Sequence, residues 1–151
     1  MSENLNASSP DHMKSALEQA AIARDAGDHP YGSVLVGPQG VIAERNRVVS
    51  TSDPTAHSEV MAIRAGAKEW GLDLSDTTLV TSYEPCPLCC GAMVEAGIRR
   101  VVVGQRRTVG EGPLGDYNVE ALMNLLHRGS EIEVVEGVLA EEVAGFFHAR
   151  H

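Results

Sequence analysis

Apolar positions Met13, Leu17, Ala20 and Ala21 recur at helical spacing and Gly27 follows them as a C-terminal cap would, which predicts a helix from about Asp11 to Ala26. Ser33 to Val36 and Val41 to Val49 are strand-like, and the Gly37-Pro38-Gln39-Gly40 between them has the residues that tight turns require, so they predict a hairpin. Asp53-Pro54-Thr55 supplies a capping residue and a proline ahead of an alanine-rich helical run from Ala56 to Trp70, closed by Gly71. Thr77 to Ser82 and Val101 to Gly104 are short β-branched stretches, read as buried strands, with a helix from Pro87 to Ala96 between them. Val119 to His127 reads as helix, Glu131 to Val135 as strand and Leu139 to Ala149 as a final helix. Helices alternating with strands after an antiparallel hairpin imply a central, largely parallel sheet with helices on both faces.

No repeat, low-complexity run or linker divides the chain, and 151 residues is the size of one ordinary domain. The expected organisation is a frayed tail over 1–10 and one domain over 11–151. Twelve Lys and Arg stand against 21 Asp and Glu, and a net charge of -9 disfavours a nucleic-acid partner unless basic groups gather on one face. Arg99, Arg100, Arg106 and Arg107 form the one basic cluster, which as a plain reading is a solvated strand end and loop. Met1 to Pro10 lacks the basic start and apolar run of a secretory signal, and no stretch has the apolar length of a membrane span, so the expected location is the cytoplasm.

The three cysteines, Cys86, Cys89 and Cys90, sit within five positions, too few and too close to staple a secreted scaffold. Cys86-Pro87-Leu88-Cys89 by itself fits a redox pair, half of a zinc ribbon or two core cysteines. A ribbon needs a second pair that the chain lacks, and a helix turns Cys90 about 100° away from Cys89, towards the core. His57-Ser58-Glu59, at the opening of another helix, changes the picture. Cys86 and Cys89 at i and i+3 face one side of a helix start, and His57 completes three ligands for a zinc ion whose fourth position stays open to water. Both helices would aim their partial positive N-termini at the two thiolates. Two thiolates neutralise the ion and weaken it as a Lewis acid, so a separate base near the water is useful, and Glu59 has that place. A glutamate on a solvated helix face is the plain alternative.

His57-Ser58-Glu59 with Pro85-Cys86-Pro87-Leu88-Cys89 matches the H-x-E and P-C-x-x-C signature of zinc deaminases. With Gly27-Asp28-His29-Pro30-Tyr31-Gly32, Asn46, Asp53-Pro54-Thr55-Ala56, Gly91-Ala92-Met93 and Gly97-Ile98, the chain resembles the cytidine deaminase-like superfamily, in its branch of free-base and tRNA deaminases. The resemblance implies a three-layer α/β/α fold around a mixed five-stranded sheet, one zinc per subunit, and a homodimer or higher homo-oligomer. It also implies that Asn46 hydrogen-bonds the ring edge, that the N–H groups of Ser58 and Cys86 orient substrate or water, and that the Glu84 carbonyl receives the leaving amine. Tyr31 takes the place of a pocket residue, with a core tyrosine as its alternative. Serine at 58 replaces an alanine found in many relatives. Phe146 and His148 are candidates for a partial lid, whereas Phe147 reads as a core anchor. Asp116 is a candidate selector of amino groups, or a surface turn residue.

From these residues and the charge, the leading expectation is hydrolytic deamination of a small free nucleobase or related aminoheterocycle, such as cytosine, guanine or a triazine. Deamination of adenosine in tRNA is the alternative. A zinc-binding or redox protein without catalysis is the reading from a different class, and zinc content of the purified protein separates it from the enzymes.

Overall fold

The structure, a computed structural model, describes residues 8–148. The first seven positions of the expected tail lie outside them, as do Ala149 to His151, but Ser9 already caps a helix and Pro10 opens it. That helix, α1 (Pro10–Asp25), is followed by β1 (Gly32–Gly37) and β2 (Gly40–Arg45), paired antiparallel around Pro38 and Gln39. The second strand stops four residues short of Val49, because Asn46 turns back: its Oδ1 accepts from Val48 N at 3.0 Å and starts a single helical turn, α2 (Val48–Thr51).

The next helix, α3 (Ser58–Trp70), opens two residues later than the sequence suggests. Asp53 caps a local turn instead, accepting from Thr55 N at 2.9 Å and Thr55 Oγ1 at 2.7 Å, and His57 becomes the N-cap in extended backbone with no side-chain bond to its own helix. Then come β3 (Thr78–Tyr83), α4 (Pro87–Ala96), β4 (Arg100–Gln105), α5 (Val119–Leu125), β5 (Glu133–Glu136) and α6 (Ala140–His148). Gly97 ends α4 at φ 81°, a backbone conformation that L side chains rarely adopt.

The sheet runs in the order β2-β1-β3-β4-β5. It is half parallel rather than largely so: β1 is antiparallel to both β2 and β3, while β3–β4 and β4–β5 are parallel. After the hairpin, α3 carries the chain past β1, so β3 runs in the direction of β2 and β1 lies between them.

Period-two alternation divides the core into two layers. Val34, Val36, Val80 and Val102 face α1 and α6 and pack on Met13, Ala16, Val143 and Phe147. Leu35, Leu79, Val101 and Val103 face the other way and pack on Ala62, Met93 and Ala96 of α3 and α4. Helices on both faces make the three-layer α/β/α sandwich. Gly32 lets α1 approach the start of β1: a Cβ there would stand 2.1 Å from the Ala16 carbonyl oxygen.

Asp28 ties the chain entering β1 to the connection leaving β2, accepting from Arg45 Nη1 and from Ser50 N, each at 2.8 Å. The Ser50 backbone bond first, and Arg45 with it, hold its carboxyl at about 2, against an ordinary 3.8. A folded value below the unfolded one adds stability that is complete above about pH 4 and is lost as pH falls through the folded value. Asp28→Asn is therefore expected to lower the melting temperature at neutral pH, with the gap to wild type closing between about pH 4 and pH 2. A gap that persists unchanged at pH 2 contradicts the assignment.

Candidate active site

The site forms where β3 and β4 end and α3 and α4 begin, the edge at which α/β sheets place their ligands. His57 is the N-cap of α3 and Cys86 the N-cap of α4, and neither side chain caps its own helix. Both are turned towards each other across the gap.

His57 Nδ1 lies 3.4 Å from Cys86 Sγ and 3.4 Å from Cys89 Sγ, and the two sulfurs are 3.7 Å apart. Ligands on a tetrahedron with bonds of about 2.3 Å to sulfur and about 2.0 Å to nitrogen stand about 3.8 Å apart for S···S and about 3.5 Å for S···N. The three atoms therefore already have the separations that a zinc ion requires, and they are the one group of at least three His, Cys, Asp or Glu among the described residues able to hold a metal. The hydrogen bond from the Cys89 thiol, with His57 second, brings Cys86 down to about 4. Cys89 is raised in turn by sharing its proton with Cys86 and by burial. The bond to Cys86 raises His57. A cation at the centre would displace that shared proton and hold both sulfurs as thiolates. Cys90, fully buried, packs with Val119 and Met123 away from the centre.

Glu59 is buried beside the cluster, and burial above all raises its carboxyl. Its Oε1 accepts from Ser58 Oγ and its Oε2 from Thr81 Oγ1, both at 3.1 Å. Cys89 Sγ stands 3.6 Å from Oε1.

A cavity of about 590 Å³ opens over these groups. Tyr31, Asn46, Glu59, Glu84, His57 and Cys86 line it, while Ser58 and Cys89 lie fully buried behind its wall. The Asn46 oxygen is taken by Val48 N, so its amide N–H groups are what it can offer to the cavity. Tyr31 is both a pocket and a core residue: it meets Tyr83 edge to face at 5.5 Å and stacks on Phe147 at 6.1 Å, forming an aromatic wall. Asp116 is exposed in its loop, and Asp116, Phe146 and His148 are not among the lining residues. Phe146 instead packs on Phe147 and under the Arg24 guanidinium, and His148 is exposed at the end of α6.

The expected basic cluster does not exist as one patch, because its pairs sit at opposite ends of β4. Arg100 bonds Glu133 at one end. At the other, Arg106 is embedded in acid, bonding Glu84 at 2.9 and 3.0 Å, Glu120 at 2.6 Å and Glu136 at 3.3 Å. Glu84 also accepts from the N–H groups of Arg107 and Val119, so its buried side chain anchors the loop after β4 to the segment that carries Cys86. Arg107 donates to the carbonyls of Glu111, Gly115 and Tyr117, and the Tyr117 hydroxyl donates to that of Pro85. These bonds fold residues 108–117 into the outer wall of the cavity, where Arg107, Thr108, Glu111 and Leu114 line it together with His29 and Tyr83. In the sequence Arg107 stood out only as part of a basic cluster and His29 only within a motif, while Tyr83, Thr108, Glu111 and Leu114 did not stand out. The pairing of glycines with Arg107 in 104–115 was the available signal, and it reads equally well as an exposed turn.

Comparison with known proteins supports the same site. The profile described as "Cytidine and deoxycytidylate deaminase zinc-binding region" matches residues 7–105. A tRNA-specific adenosine deaminase of Haemophilus influenzae is 36% identical, over 91% of this chain and 82% of its own. A guanine deaminase of Bacillus subtilis is 41% identical, over 64% of each. A solved structure from work on A-to-I editing by tRNA:A34 deaminases superposes with a TM-score of 0.75 at 29% identity, covering 90% of this chain and 98% of that one.

Proposed function

The chain belongs to the cytidine and deoxycytidylate deaminase zinc-binding family and is a zinc-dependent deaminase, and from that premise we propose that it converts adenosine to inosine in the anticodon loop of a tRNA. The observation that carries this substrate is the reach of the likeness. Two tRNA-specific adenosine deaminases are each 36% identical over 91% of this chain, whereas the guanine deaminase is 41% identical over 64% of it. An open cavity of about 590 Å³ also leaves room beyond a bare base.

His57, Cys86 and Cys89 would hold the zinc, which when bound would supply Lewis-acid activation of a water molecule. Glu59 takes a proton from water as the water oxygen bonds to the amine-bearing carbon and delivers it to the adjacent ring nitrogen; it then moves the proton of the new hydroxyl to the amine, whose C–N bond breaks. One water is consumed and one ammonia released. The Asn46 amide donates to an acceptor on the ring edge, the Ser58 and Cys86 N–H groups orient the attacking oxygen, and the Glu84 carbonyl receives the leaving amine. Tyr31 and Tyr83 supply the face on which the flipped base stacks.

Deamination of a free base such as guanine is the second reading, favoured by charge. Among the described residues, Arg24, Arg45, Arg64, Arg100, Arg106 and Arg128 are all paired with carboxylates, which leaves few cations for phosphates. A stem-loop bound by so few cations has a shallow salt slope, about -0.7 per phosphate neutralised on a single strand. The expected outcome of an ammonia-release assay is turnover of a wobble-adenosine stem-loop with weak salt dependence, and inert guanine, cytosine and free adenosine. Turnover of guanine with an inert stem-loop replaces the tRNA reading with the free-base one.

A further inference from the structure

On the β1 and β3 faces that pack against α3 and α4, the apolar alternation breaks at the end nearest the zinc ligands. Leu35 gives way to Ser33 and Leu79 to Thr81, and these two polar residues are register partners on adjacent strands. Ser58, the first residue of α3, meets them from above the sheet. All three are fully buried, where an unpartnered hydroxyl costs about 1–3 kcal/mol.

Their oxygens form a ring of contacts with Glu59, four contacts served by three hydroxyl protons. Ser58 Oγ reaches Oε1 at 3.1 Å, Ser33 Oγ lies 2.8 Å from Ser58 Oγ and 3.0 Å from Thr81 Oγ1, and Thr81 Oγ1 reaches Oε2 at 3.1 Å. The terminal torsion of a glutamate is broad and roughly two-fold, so packing of its CH₂ groups leaves the carboxylate plane undefined. Two donors, one to each oxygen, define it.

We propose that Ser33, Ser58 and Thr81 are positioning residues that set the plane of the Glu59 carboxylate for proton transfer, with Ser33 acting through the other two. Thr81 bonds Oε2 from the sheet and Ser58 bonds Oε1 from the start of α3, while Glu59 lines the cavity. Ser33 touches neither oxygen; its one proton is donated to Thr81 Oγ1 or to Ser58 Oγ, one at a time, and either bond leaves that residue's own proton for the carboxylate. The ring is a three-residue constellation drawn from β1, β3 and α3, and it needs all three elements docked before Glu59 is aimed.

This inference rests on Glu59 being the proton carrier, and it is tested with the zinc-loaded protein in two ways. In the first, kcat and KM are measured on whichever of the stem-loop and guanine the wild type turns over. Ser58→Ala is expected to retain zinc and KM within about twofold while kcat falls about 10-fold, the scale of lost outer-shell partners. Ser33→Ala gives a smaller fall in kcat, which disappears in a Ser58→Ala/Thr81→Val background where it has nothing left to act through. In the second, the Glu59 carboxylate band is assigned by infrared difference against Glu59→Gln with isotope-labelled glutamate, and it shifts in Ser58→Ala. That measurement needs no substrate, so a wild type inert on both compounds defeats the substrate reading while the band still decides this one. An unshifted band, an unchanged kcat in Ser58→Ala, or a Ser33 effect that persists in the double background overturns the proposal.

Discussion

Cys89→Ala is expected to lose zinc and all turnover, as are His57→Ala and Cys86→Ala, while Cys90→Ala keeps both. Cys89 and Cys90 are adjacent and equally buried, so burial does not separate them. Direction does: Cys89 Sγ stands 3.4 Å from His57 Nδ1 and 3.7 Å from Cys86 Sγ, while Cys90 points into the Val119 and Met123 cluster. Removing one of three protein ligands leaves two, too few to hold zinc against water, and it unbalances a buried proton-sharing cluster at two helix N-termini. Cys90→Ala removes one buried sulfur and is expected to cost about 1 kcal/mol of stability. Metal analysis of the purified variants decides the matter, and full zinc in Cys89→Ala excludes this ligand set.

The second large effect is expected at Glu59. Glu59→Gln keeps zinc and the fold while turnover falls at least about 10²-fold, because the amide preserves shape and cannot carry a proton. That loss corresponds to about 2.7 kcal/mol of barrier. The fold tolerates the change for a reason visible in the ring. A glutamine places an N–H donor where one of two hydroxyls now donates, and the Thr81 proton has a second acceptor, the Tyr83 carbonyl at 3.2 Å. Thr81 can therefore turn and accept from the amide. Near-normal turnover with full zinc content removes Glu59 from its assigned role.

Much of the site was legible in the chain because its signals are short-range. The i, i+3 spacing of Cys86 and Cys89, the proline that opens α4 at Pro87 and the glycines that close α3 and α4 at Gly71 and Gly97 act within one helical turn. The alternation of Val34, Leu35 and Val36 likewise assigns faces of a strand with no knowledge of its neighbours. The zinc constellation combines two such local patterns, and the family resemblance joins them.

Other features depended on contacts between residues far apart in sequence. The strand order that puts β1 beside β3 brings Ser33 to Thr81, a pairing no local pattern contains. Arg106 and Arg107 read as a solvated basic pair, yet one is paired with Glu84, Glu120 and Glu136 and the other binds three loop carbonyls, so together they build a pocket wall. Asp116 and Phe146 went the opposite way, from candidate substrate contacts to an exposed loop residue and a partner for Arg24. The sequence by itself determined the types of the elements other than the short α2, the zinc ligands and the class of chemistry, since spacing and periodicity act over a few residues. Only the tertiary structure decided what surrounds the ligands, because hydrogen bonds from a guanidinium or a buried hydroxyl form wherever folding delivers an acceptor, at any distance along the chain.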